Sequence, residues 1–235
     1  GAGSAATVVD ANGLDRVFHV VSATPGLPPA IAGLTARGGA ADLGGGIRND
    51  GKLHVADSAI EDNTANTFGG GVFLNDNAVL TLTRSAVQSN TGDDSGGIHT
   101  NADTALAVYS STIWLNQTPG SGGGINNGGR LRIVASTIAS NTAATNGGAI
   151  NQNGSEAELV NVTLSGNSAD LGGAFRNHTD ATTRLIAVTI YGNETADEGA
   201  IYNGERVLLD HALIAGNVGG NCAGFGDYVS FGYNM

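Results

Sequence analysis

The sequence has almost none of the residues that usually announce chemistry. It holds one cysteine, Cys222, in 235 residues, which excludes an internal disulfide framework and a Cys-rich metal site. Lysine occurs once, as Lys52, and Lys and Arg together number 10 against 21 Asp and Glu. The charge of −11 leaves no basic patch to neutralise phosphates, so the composition argues against nucleic-acid partners and against docking on anionic lipid. No apolar run approaches a membrane span, so this segment is not expected to insert in a membrane. Pro is only 4 and no G-X-Y period exists, which excludes collagen. The five histidines share no ligand spacing that would hold zinc. Neither a G-x-S-x-G elbow nor a phosphate loop ending in GK[ST] occurs.

What the sequence has is glycine and asparagine, 38 and 23 residues, with short apolar runs between them. That many breakers excludes a helical protein, since an interior Gly costs a helix about 1 kcal/mol against Ala. A Gly pair followed by an apolar residue returns seven times: GGGIRN, GGGVFL, GGIHT, GGGINN, GGAINQ, GGAFRN and, with one Gly, GAIYN. The anchors are Ile47, Val72, Ile98, Ile125, Ile150, Phe175 and Ile201, spaced 25–27 residues apart. A second apolar column follows about eight residues later, as in Leu53/Val55, Leu80/Leu82 and Leu131/Ile133, and is less regular around Leu185. A third closes each unit with an aliphatic residue three before an Asn, from Ile60/Asn63 to Ile214/Asn217.

Alternation over three to five residues is a strand signature, and no segment offers helical spacing over ten residues. Short strands repeated in tandem predict a solenoid. The predicted fold is all-β: a single-stranded right-handed parallel β-helix of about eight coils, three short strands per coil, roughly 40 Å long at about 4.8 Å per coil. Ile47, Ile60, Val87, Ile113, Ile138, Leu164 and Ile190 are expected to point inward. In-register stacking sets like on like, so the seven Asn are expected to form an internal amide ladder. Asn116 and Asn193 also sit in N-x-T sequons and could serve as surface glycan acceptors instead. The paired Gly would serve a corner needing positive φ or close backbone approach.

Three segments follow: a lead-in coil over 1–43, seven regular coils over 44–218, and the start of an atypical C-terminal cap or anchor module over 219–235. The lead-in holds three strand-like pieces, Thr7–Asp10, Val17–Val21 and Ala30–Thr35, with Pro25, Pro28 and Pro29 breaking its last connection. Phe225, Tyr228, Phe231 and Tyr233 are expected to begin covering the last coil.

The GGGI–N and [ST]-x-I-x-x-N beat resembles the repeats of large bacterial extracellular β-helix proteins, including polymorphic outer-membrane protein repeats. The opening GAGSAATVVDANGLDRVF and IAGLTARGG resemble the lead-in of secreted right-handed parallel β-helix repeat proteins. The closing GGNCAGFGDYVSFGYNM resembles the choice-of-anchor Q module of that group, with Met235 where that module has Leu. The resemblance implies an exported, extracellular or cell-surface setting and a partner for Cys222 further along such a protein.

Acid–base work on a polysaccharide needs two carboxylates, or a base and a cation, close together, which in a solenoid means outward positions of adjacent coils. The mid-coil column reads His54, Thr81, Ala107, Arg132, Glu158 and approximately Arg184. Arg132 and Glu158 are the catalytic candidates, beside the plainer reading of a surface ion pair. Acids gather in turns, where Asp also bonds its own backbone; among them Glu156 and Asp197 are read as turn residues, and Asp76, Asp93 and Asp94 are the candidates for a calcium site. No other cofactor is expected. Thr112, Thr137, Thr163 and Thr189 form an outward array that an ice-binding face would use, next to an uneven column holding Trp114 and Tyr191.

The function this points to is a non-catalytic exported or cell-surface module, such as a stalk, an adhesin or a surface-layer component of a larger bacterial protein. The alternative is a carbohydrate-active enzyme, a polysaccharide lyase or hydrolase, using the β-helix as a groove. Expected partners are cell-surface glycans and, through the coil ends, other chains or missing segments of the same polypeptide.

Overall fold

Each coil turns four corners. In the computed structural model, which describes residues 6–21 and 28–235, the chain is a parallel β-solenoid of about eight turns, built of four parallel sheets with no helix among the described residues. Gly1-Ala2-Gly3, Pro25 and the side chain of Asp197 lie outside the described residues.

We label the sheets in coil order. S1 holds the strands after the Gly pair, such as Val72–Leu74; S2 the mid-coil strands, such as Val79–Thr83; S3 the strands before the ladder Asn, such as Ala86–Gln88; S4 those after it, such as Thr91–Asp94. S1, S2 and S3 each run through nine strands and S4 through seven. Equivalent residues pair coil to coil: Val72 lies between Ile47 and Ile98, and Val87 between Ile60 and Ile113. The lead-in follows the same plan. Val8–Asp10 opens S3, Phe18–Val20 opens S1 and Ala30–Ala32 opens S2.

The three apolar columns read from the sequence all point inward. The seven anchors from Ile47 to Ile201 have no exposed surface, and Ile60, Val87, Ile113, Ile138, Leu164 and Ile190 have at most 1%. Burying each such side chain contributes about 1.5–3 kcal/mol.

The fourth sheet corrects the expectation of three strands per coil. Its inward residues are small or polar: Ala65, Gly92, Thr118, Ala143, Ala169 and Thr195. Two of its strands, Gln117–Thr118 and Thr142–Ala143, are two residues long, and its register slips at the Ala41/Leu43, Gly92/Asp94 and Ala169/Leu171 irregularities. A strand without large apolar residues lacks the alternation by which strands are read from sequence.

The Asn column forms the predicted ladder. Asn116 donates through both its backbone N–H and Nδ2 to Asn141 Oδ1, at 3.0 and 2.9 Å, and its own Oδ1 accepts the same pair from Asn90. Nδ2 also reaches back to the Val87 carbonyl at 3.0 Å. The pattern runs unbroken from Asn63 to Asn217. Asn116 and Asn193, the two members of the column that sit in sequons, are fully buried. Every amide is therefore paired, as burial of polar groups requires.

A second buried column, polar except at Leu74, stands at the S1–S2 corner: Asn49, Leu74, Thr100, Asn127, Gln152, Asn177 and Asn203. A third, of Ser58, Ser85, Ser111 and Ser136, enters S3; each of the first three donates its backbone N–H to the next hydroxyl, at 3.0–3.2 Å. The irregular repeat near Leu185 is explained by Thr183. It takes the inward position that Ala157 holds in the preceding coil, and its hydroxyl donates to Asn177 Oδ1 at 2.7 Å.

The corners demand left-handed backbone. At the Gly-pair corner Gly69 has φ +67°, and a Cβ on the neighbouring Gly71 would stand 2.8 Å from the Gly97 carbonyl. The other two left-handed columns are filled largely by non-glycine residues, including Leu115 (φ 55°) and Ala135 (φ 50°).

At the C-terminal side Cys222–Gly224 and Asp227–Phe231 continue S1 and S2. Of the four aromatic residues there, Tyr228 packs against the core and donates its hydroxyl to the Ala223 carbonyl at 2.7 Å, while Phe225, Phe231 and Tyr233 are exposed. Burial pushes the Tyr228 phenol pKa up. Cys222 is a free thiol at an exposed position.

Candidate functional site

The outer face of S2 is built by alternation. In a five-residue strand the second and fourth residues enter the core, so the first, third and fifth face out. The strand Arg130–Val134 therefore presents Arg130 and Arg132 on its outer face, and Glu156–Val160 presents Glu156 and Glu158. Glu156 is thus the first residue of a strand, not of a turn as its flanking Gly and Ser imply. The registers set Arg132 on Glu158 and Glu158 on Arg184.

Two ion pairs result, side by side. Arg130 Nη2 lies 2.9 Å from Glu156 Oε2, and Arg132 Nη1 donates to Glu158 Oε2. On the N-terminal side the same columns continue as Ala105 and Ala107, which leave open space beside the guanidiniums. The result is a groove of about 860 Å³ running from Val79 to Leu208, with the charged quartet at its centre and Arg184 beyond. Among the described residues, Arg184 and Arg206 have no carboxylate partner.

Sequence reading found Arg132 and Glu158 and missed Arg130 and Glu156. The missed signal is the pair of triplets Arg130-Leu131-Arg132 and Glu156-Ala157-Glu158, one repeat apart, each placing two like charges on one face.

The three acids considered for calcium fall at different corners. Asp76 occupies the turn between S1 and S2, whereas Asp93 and Asp94 end a strand of S4. Both oxygens of Asp94 are engaged: Oδ1 accepts the Ser121 N–H at 2.7 Å and Oδ2 accepts from Asn126 Nδ2 at 2.8 Å. Among the described residues no group of three or more His, Cys, Asp or Glu is placed to hold a metal ion.

The column after the Gly-pair anchor faces away from the core yet is largely covered. Phe73 is 3% exposed, ringed by Phe68 and by His99, whose rings lie 6.5 and 5.6 Å away. Asn126 Oδ1 accepts hydrogen bonds from Asn151 Nδ2 at 3.0 Å and Asn153 Nδ2 at 2.9 Å, and Asn151 Oδ1 accepts one from Arg176 Nη1 at 3.3 Å. Burial pushes the His99 imidazole pKa down, in spite of Asp94 Oδ2 at 4.0 Å. The Thr array of S3 is in register from Thr112 to Thr189, and the adjoining column carries the exposed rings of Trp114 and Tyr191.

Comparison with known proteins finds no matching family model, no matching curated protein and no matching solved structure, so the functional reading rests on this geometry.

Proposed function

We propose that the chain is a non-catalytic section of an exported or cell-surface protein of bacterial type, a rod that serves as stalk, adhesin or surface-layer component. The observation that carries this reading is the unbroken register of S1, S2 and S3 through nine strands each, with 25–27 residues between anchors and no inserted loop. Catalytic and ligand-closing elements are usually excursions from a scaffold, and this stack has none between its regular coils.

A second reading, a polysaccharide lyase or hydrolase, is favoured by the Arg132–Glu158 pair lying inside the groove. A panel of polysaccharides incubated with the protein separates the two. The rod reading expects no turnover of any of them; turnover lost on Arg132→Ala or Glu158→Ala replaces it with the enzyme reading. Surface labelling of cells producing the natural full-length protein tests export, and a strictly intracellular pool would defeat that part of the proposal.

A further inference from the structure

We propose that the S2 groove binds a linear acidic glycan, a polymer whose rings carry a carboxylate beside hydroxyls, with Arg130 and Arg132 as the carboxylate clamp. The two guanidiniums rise from alternate residues of one strand, about 7 Å apart along it. Each is held from one side only, by the Glu of the following coil.

The manner of that contact matters. Arg84 on S3's corner gives Asp57 both arms of its fork, Nε to Oδ1 and Nη2 to Oδ2, each at 2.7 Å. Arg132 gives Glu158 a single hydrogen bond from Nη1. A guanidinium has five N–H donors in a rigid fork, so Arg132 is tethered by its Glu and not consumed by it. Tethering also removes rotamer freedom before a ligand arrives, which lowers the cost of binding. The methyl groups of Ala105 and Ala107, in register with Arg130 and Arg132, leave the other side of both forks open.

Charge points the same way. The chain carries −11, yet Arg130, Arg132, Arg184 and Arg206, four of its ten basic residues, stand on the outer face of three S2 strands that flank the strand bearing Glu156 and Glu158. A polyanion is repelled elsewhere and admitted here. Glu156 and Glu158 are acceptors for ligand hydroxyls, which a uronate ring offers and an acidic peptide does not. The groove crosses six strands, about 24 Å, and is open along the solenoid axis, the shape a linear chain needs. Binding makes and breaks no covalent bond, and the site does not depend on whether the rod is exported.

Calorimetric titration of the purified chain with an oligomer of galacturonate tests the proposal. The oligomer is expected to bind, more weakly as salt rises. Its methyl ester should bind at least tenfold more weakly, and the double variant Arg130→Gln/Arg132→Gln should lose tenfold or more. Ala107→Phe, which fills the groove without touching a charge, should abolish binding while the circular-dichroism spectrum stays that of the parent. No binding of the oligomer, equal binding of its ester, or unchanged binding by either variant overturns the site. Equal binding of poly-glutamate overturns the glycan assignment.

Discussion

Two buried polar columns run the length of this molecule, and they are built on different terms. At the S3–S4 corner every member is Asn, and each amide bonds the coil before and the coil after. At the S1–S2 corner the members are Asn, Leu, Thr and Gln, and much of the bonding is to nearby turn carbonyls, as when Asn127 Nδ2 donates to Gly129 O at 2.7 Å and Gln152 Nε2 to Gly154 O at 2.9 Å. Each Asn of the first column accepts the backbone N–H of its counterpart in the preceding coil, so that column tolerates no gap. The second divides its bonds between its own turns and the adjoining coils, as in Asn127 Nδ2 to Gln152 Oε1 at 3.0 Å and Asn177 Nδ2 to Asn203 Oδ1 at 2.9 Å, and Leu74 takes a place in it with no exposed surface. Uniformity in the first column thus reflects one bond pattern repeated coil after coil, a backbone N–H and an Nδ2 donating to the same Oδ1, rather than burial alone.

Substitution in the two columns should measure that difference. Asn116→Ala strands both donors of Asn90 and the acceptors of Val87 and Asn141, all buried, and should cost about 3–5 kcal/mol in denaturant unfolding, given roughly 1–3 kcal/mol for each buried group left unpaired. Asn127→Leu, which puts at this position the residue type that Leu74 supplies two coils earlier, strands the Thr100 hydroxyl and the acceptors of Gly129 and Gln152 but no backbone N–H, and should cost about 2–3 kcal/mol by the same measurement. Equal costs would erase the distinction drawn between the columns.

Neither column titrates, so acid sensitivity comes from outside them, and His99 on the covered face of S1 is one source, beside carboxylates such as Asp50, which despite its partial desolvation His19 and Arg48 hold below the usual range. Its pKa is lowered in the folded state, so the neutral form is the one that folding favours. The contribution is full above the unfolded-state value of about 6.5 and is lost as pH falls below it. Thermal unfolding followed across this range should show a decline toward acid that His99→Gln flattens; a variant with the parent's slope would assign the acid sensitivity to other groups.

The smallest effect concerns the corner that feeds the Asn ladder. Leu115 holds a left-handed backbone there, in the position that Gly166, Gly192 and Gly216 occupy in later coils. Leu115→Gly should raise stability by about 0.5–1 kcal/mol, the left-handed strain relieved less the added chain entropy of Gly. A lower melting temperature would mean that the half-exposed leucine side chain contributes more by packing than the corner loses by strain.

How much was legible follows from these particulars. The Asn ladder was readable because one residue type recurs at one interval. The S1–S2 column was not, because its members share burial and hydrogen-bonding capacity without sharing identity. The strands of S4 escaped because Ala, Gly and Thr line their inner side. Arg132 and Glu158 were found by reading one outward column; Arg130 and Glu156 required knowing that the strand begins one residue after Gly129 and Ser155.

By itself, the 25–27-residue recurrence determined the stack, its inward columns and its amide ladder, because parallel strands in register set each residue on its equivalent in the next coil. Only the tertiary structure decided the fate of residues that face away from the core. Phe73, Asn126 and Asn151 are closed over, whereas the Arg and Glu pairs of S2 stand in an open groove. That difference depends on how neighbouring corners fold across each face and on which side chains of adjoining coils are small, and no repeat period encodes it.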